Sequence, residues 1–275
     1  MAQIILVAVD GSEPAKNAAQ AAIRLAAGLK WSIQGLYVVD ELLVMDNFSN
    51  YQKELGRSEI ASSRAELIEW FEVYGNGVLD ELQSACGQAG VPVGTEIVFG
   101  RVPALIIDRA KQADLIAIGR KGRSQAADHA HLGRHFEHIA HHAHIPLIVG
   151  GDEAGEIDCL FAIYKGSADA DHLFEWTARI QACLSTRVVV GEIMRGKNGR
   201  EYEAIQGLMK VHQLQVSDQV DLDDEPVQCI LEALNKSCAN LALVQGYRHL
   251  ELFDVLLGSE IDQILQNTHI PVFLI

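Results

Sequence analysis

Short apolar runs alternate with longer stretches of helical periodicity along most of the chain. Ile4 to Val9 is apolar and rich in β-branched residues, and it is closed by Asp10-Gly11-Ser12-Glu13-Pro14. Ser12 can cap a helix there and Pro14 suits a first turn. Ala15, Ala18, Ala19, Ala22, Ile23, Ala26 and Leu29 then share one helical face. Ser32 to Val39 reads as a second strand, and residues 40 to 57 as an irregular insert. A helix is expected from about Ser58 to Gln88, broken at Gly75-Asn76-Gly77, because two glycines cost a helix interior about 2 kcal/mol. Val91 to Phe99 is a third strand, Val102 to Gln112 a helix, and Leu115 to Ile118 a fourth strand buried on both faces. Leu132, Phe136, Ile139, Ala140 and Ala143 place a helix start near Gly133, and Pro146-Leu-Ile-Val ends the unit. Strands alternating with helices imply an α/β fold with a parallel sheet covered on both faces.

The second half repeats this order in shortened form. Ile163-Tyr164-Lys165-Gly166-Ser167 overlays Ala8 to Ser12, Leu241 to Gly246 overlays the strand ending at Gly119, and Gly258-Ser259 overlays Gly133-Arg134. Ile270-Pro271-Val-Phe-Leu overlays Ile145 to Val149. The offset falls from 155 residues to 125, so the copy lacks about thirty, mostly from the long second helix. The expected organisation is two tandem doubly wound domains, 1–152 and 153–275, joined through Gly150 to Gly155.

The formal charge of -15 argues against nonspecific nucleic-acid binding, which needs cations to displace counterions from phosphates. No apolar run reaches membrane-spanning length, and the amino-terminal stretch lacks a basic region and a cleavage pattern, so the expected location is the cytoplasm. Cys86, Cys159, Cys183, Cys229 and Cys238 contain no Cys-x-x-Cys pair, and reduced, buried thiols are expected.

Against the acidic background, Gly119-Arg120-Lys121-Gly122-Arg123 is a cationic turn punctuated by glycine. It joins a buried strand to a helix whose first N–H groups face back toward it, an arrangement suited to an anion. Gly119-x-x-Gly122, ten residues, Gly133 resembles the nucleotide-binding signature of the universal stress protein family. That signature is Gly-x-x-Gly, nine residues, and Gly-Ser or Gly-Thr. Here the spacer is one residue longer, and Arg134 replaces the hydroxyl residue. Val9-Asp10-Gly11-Ser12 is similar to the start of such domains, and Val38-Val39-Asp40 to their adenine-lining segment. The resemblance covers nearly the whole chain as a tandem protein. It implies ATP, with or without magnesium, bound in the first domain. Asp10 and Val38 would then hold adenosine, with Gly11 and Ser12 in the same site and backbone N–H groups from Gly119 to Gly122 and near Gly133 on the phosphates. Arg120, Arg123 or Arg134 would supply charge. Lys165 and His249, standing for Asp10 and the second motif glycine, imply a degenerate second domain.

Seven of the eleven histidines lie between residues 129 and 144. His135, His138 and His142 share a helical face and could bind zinc, although only His138 and His142 have the i, i+4 spacing of helical metal pairs; the other reading is a solvated polar face. His129 and His131 could reach a bound phosphate. No catalytic constellation is visible, so any ATP hydrolysis would be slow. The alternatives are an interaction or metal-responsive module that has lost nucleotide binding, or an enzyme acting on an adenylated substrate. Single-domain members of the family commonly pair through their terminal strands, so the resemblance implies that the apolar strands at Pro146-Leu-Ile-Val-Gly and Pro271-Val-Phe-Leu-Ile pair antiparallel and form an internal pseudo-dimer; each would otherwise be a bare sheet edge. A homodimer of the whole chain stays open.

Overall fold

The computed structural model describes residues 3–45, 64–122, 132–153, 155–165, 170–193, 199–222, 226–245 and 260–275. Most of the expected insert lies outside this set, as do Arg123, His129, His131, Gly166, Ser167, Gly246, His249, Gly258 and Ser259.

The first half runs β1 (Ile4–Ala8), α1 (Glu13–Leu29), β2 (Ser32–Asp40), α2 (Arg64–Gln88), β3 (Val93–Gly100), α3 (Val102–Ala110), β4 (Leu115–Gly119), α4 (Arg134–His142) and β5 (Leu147–Gly150). The second half runs β6 (Cys159–Tyr164), α5 (Ala170–Leu184), β7 (Arg187–Glu192), α6 (Gly199–Val211), β8 (Asp218–Asp221), α7 (Pro226–Ser237), β9 (Leu241–Val244), α8 (Glu260–Asn267) and β10 (Val272–Leu274). The described strands form one ten-stranded sheet of order β3-β2-β1-β4-β5-β10-β9-β6-β7-β8. Every pairing is parallel except the central one, where Val272, Phe273 and Leu274 run antiparallel to Val149, Ile148 and Leu147. The expected pairing of the two terminal strands is present. Each domain thereby covers the other's edge, and the strand order of one half mirrors that of the other.

Two apolar layers follow from the alternation of side chains along the strands. One unites Ile5, Val7 and Ile33 with α1, α2, α5 and α6, and the other unites Leu6, Ala8, Leu36 and Ile116 with α3, α4, α7 and α8. Neither layer stops at the domain boundary: Phe273 belongs to the first together with Ile148 and Leu160. Trp31 and Trp176 meet edge-on at 6.1 Å, with Arg179 over both rings, joining the end of α1 to α5. No described helix is long and apolar enough to cross a membrane.

Two expectations change. α2 does not break at Gly75-Asn76-Gly77 but runs through all three. A side chain at Gly75 would collide with the Tyr37 ring of β2, so the glycine lets the helix lie close on the sheet, and this packing outweighs its low propensity. The repeat alignment also shifts by one residue at β9. Phe161 pairs with Ala242 as Leu6 pairs with Ile116, which puts Gln245, and not Gly246, at the place of Gly119.

Candidate functional site

The sheet itself selects a position in the first domain. From β1 the chain crosses to β2 on one side, while β4 lies on the other side, so β1 and β4 bound a topological switch point. Ligands of doubly wound folds bind in the crevice beyond the carboxyl ends of such strands. The segments that follow these two strands are Val9 to Ser12 and Arg120 to Gly122, the two stretches singled out by sequence.

They touch. The backbone at Gly122 comes so close to Asp10 that an added Cβ would lie 3.2 Å from Asp10 Oδ2. Ser12 Oγ lies 3.4 Å from the Lys121 carbonyl oxygen and accepts from the Ala15 amide, capping α1. Asp10 Oδ1 accepts from the Ser12 amide at 2.9 Å and from Ser12 Oγ at 2.6 Å. This is an aspartate turn that presents the second carboxylate oxygen toward Gly122. Gly11 has φ +81°, a left-handed conformation that favours glycine, and its α-carbon lies under the Tyr74 hydroxyl of α2.

Gly119 has a steric role. A Cβ there would stand 2.7 Å from the Ala15 nitrogen and 3.0 Å from the Pro14 carbonyl carbon, both backbone atoms. Gly150 on β5 meets the Pro14 carbonyl in the same way. These glycines let the first turn of α1 rest on β4 and β5.

Leu36 and Val38 lie on the sheet face that carries α3 and α4. Asp40 shares their side of β2, and the His135 ring stands 3.8 Å from its carboxylate. Asp10 falls on the same side of β1 as Leu6 and Ala8. Asp10, Val38, Asp40 and the start of α4 therefore border one crevice. Gly133 is the N-cap of α4, without a side-chain cap, and Arg134 follows as its first, exposed residue. Gly133's own amide donates to the Arg120 carbonyl at 2.9 Å and is therefore engaged within the protein.

The structure places two sequence candidates differently from the expectation. The Arg120 guanidinium is buried and points out of the crevice, to the Leu265 and Thr268 carbonyls of the second domain and to Asp152. His135 turns to Asp40, leaving His138 and His142 stacked at 4.2 Å, with His142 Nδ1 donating to the His138 carbonyl at 2.8 Å. Burial lowers the His138 pKa, and the neighbouring His142, His141 and His135 lower it further. Among the described residues no three potential ligands converge on a metal. The Asp40–His135 approach was invisible to sequence reasoning because it joins residues far apart in the chain; the only trace was that each falls beside a motif.

In the second domain Lys165 stands where Asp10 stands, and its Nζ bonds Glu260 Oε2 at 2.9 Å at the start of α8. An ion pair spans the position that corresponds to the gap between Asp10 and α4. Gln245, in place of Gly119, fills its position with a buried side chain.

The Universal stress protein family model matches residues 1–149. The chain is 24% identical over 283 residues to universal stress protein Slr1230 of Synechocystis sp., covering 98% of each. It is 29% identical over 147 residues to universal stress protein MJ0531 of Methanocaldococcus jannaschii, covering 53% of this chain and 79% of that one. The crystal structure of a universal stress protein from Archaeoglobus fulgidus superposes with a TM-score of 0.73 at 16% identity, over 98% of this chain and 95% of that one, and shares the fold.

Proposed function

Because this chain belongs to the universal stress protein family, we propose that it is a cytoplasmic stress-response protein whose first domain binds an adenine nucleotide, ATP, while the second is a degenerate copy. The observation that carries the reading is the meeting of Asp10 and Gly122 at the switch point, where a Cβ on Gly122 would crowd the carboxylate. A carboxylate set beside the motif glycine is an acceptor of the kind that ligand hydroxyls, such as those of a ribose, require. The adenine would lie along Val38. The start of α4, whose N-cap Gly133 has no side chain, suits phosphates together with exposed Arg134, and charge-assisted bonds from an arginine would replace those of the family's hydroxyl residue. Neither Arg120 nor Gly133's amide would contribute, since both are engaged elsewhere. In the second domain the same position holds the Lys165–Glu260 pair, and a ligand would have to break it.

Isothermal calorimetry with ATP on the whole chain tests this. One site per chain is expected, with affinity lost on the order of tenfold or more in Gly122→Val and unchanged in Lys165→Ala. Two equivalent sites, or binding indifferent to Gly122→Val, would overturn it.

A further inference from the structure

We propose that Arg120 is a positioning residue through which the second domain holds the nucleotide segment of the first; this rests on the nucleotide reading above. Arg120 lies between the two motif glycines, and its two ends work in opposite directions. Its carbonyl accepts the Gly133 amide, tying the start of the motif segment to the N-cap of α4. Its guanidinium leaves the crevice and donates to Leu265 O at 2.9 Å and Thr268 O at 2.6 Å. These carbonyls belong to the end of α8, where helix geometry provides no partners and the dipole is negative, so a cation is the fitting cap.

Asp152, in the linker after β5, completes the clasp. It pairs with Arg120 and accepts from His269 Nδ1 at 2.9 Å, while the amides of Asp152 and Glu153 donate to the His269 carbonyl at 2.8 and 3.0 Å. Burial alone would raise the Asp152 carboxyl, but Arg120 and His269 outweigh it and hold it below the ordinary aspartate range. Motif segment, linker and the end of α8 thus form one network. A buried guanidinium has few other places to go, because every unmade bond in that setting carries a desolvation penalty.

The clasp runs one way. In sequence Gly246 follows Gln245 as Arg120 follows Gly119, and a glycine has no side chain that could return the contact. The second domain therefore supports the first domain's site without receiving equivalent support. This gives a copy with a blocked pocket a part in ligand binding. Linkage makes the coupling reciprocal: a nucleotide held through Arg120's position must also tighten the end of α8.

The test compares the whole chain with Arg120→Met, and with Asp152→Asn, which keeps the guanidinium on its carbonyls and so guards against a variant that fails to fold. Two readouts are used: ATP affinity by calorimetry, and amide hydrogen exchange by NMR at Gly133 and at Thr268, whose amide donates to Ile264 O at 2.9 Å. We expect Arg120→Met to weaken ATP on the order of tenfold, within the usual range of coupling between sites, and Asp152→Asn to weaken it less. Gly133 should exchange faster in ligand-free Arg120→Met, and ATP should protect Thr268 in the parent chain but not in that variant. A purely structural arginine would lower global stability and leave the ATP affinity and Gly133 exchange unchanged; that result overturns the proposal while the nucleotide reading stands. If the parent chain binds no ATP but Gly133 is still freed by Arg120→Met, the nucleotide reading fails and the clasp remains.

Discussion

Phe273→Ala tests whether the two domains are one folding unit. Phe273 is fully buried on β10, opposite Ile148 of β5, and its ring lies 5.0 Å from that of Trp176. Truncating a buried phenylalanine costs about 3–5 kcal/mol, which includes the cavity left behind, and loss of an aromatic partner favours the upper part of that range. That is a large fraction of the roughly 5–15 kcal/mol by which most domains are stable. With a urea slope of about 3 kcal/mol per molar, the midpoint should fall by about 1 M or more. The residue lies at the central antiparallel pair, in the apolar layer that also holds Ile5 and Val7 of β1 and Leu160 of β6, so the destabilisation should reach both halves. Urea unfolding followed by fluorescence and far-ultraviolet circular dichroism should show one transition shifted as a whole. Hydrogen exchange at β1 and β6 amides should rise together. If β6 loosens while β1 keeps its parent exchange rates, the domains unfold separately, and the shared layer is contact without cooperativity.

Two further predictions concern the packing of α2 and the charge on β7. Gly75→Ala adds helix propensity worth about 1 kcal/mol but drives a methyl into Tyr37, and overpacking typically costs about 1–3 kcal/mol, so a net loss is expected. Gly77→Ala, with no atom within 4 Å of the new methyl, should instead gain nearly the full propensity term; the reverse order of stabilities in urea would refute the packing account of Gly75. Glu192 is buried with no hydrogen-bond partner for Oε1 among the described residues, and burial raises its pKa above the ordinary 4.5, with Asp221 adding to the shift. The folded chain then holds this proton more tightly than the unfolded one, so stability falls as pH rises from about 4.5 through the folded pKa and the deficit persists above it. Glu192→Gln should remove that fall and be the more stable protein at neutral pH; parallel pH profiles for the two proteins would show that the carboxyl is not the cause.

The sequence by itself determined the strand and helix order, the duplication, and the two motif segments, because each depends on short-range periodicity or on residue types that a tight turn demands. Ser12 capping α1, and β4 as a strand buried on both faces, are such local facts. The pairing of β5 with β10 was legible through the family resemblance, together with the apolar character of two terminal strands that would otherwise be bare edges. The tertiary structure alone decided what the glycines and charges do. Gly75 looked like a helix break and is a packing contact, because the ring it accommodates belongs to another element. Gly119, named in sequence as part of a phosphate-binding turn, also makes room for the first turn of α1. Arg120 stood among phosphate candidates, yet the acceptors that claim it lie 145 and 148 residues away in the second domain. His135 turned from the histidine stripe to Asp40 for the same reason. A side chain's direction is set by whichever partner the fold brings to it, and for charged groups near a domain boundary that partner is distant in the chain, where no local pattern records it.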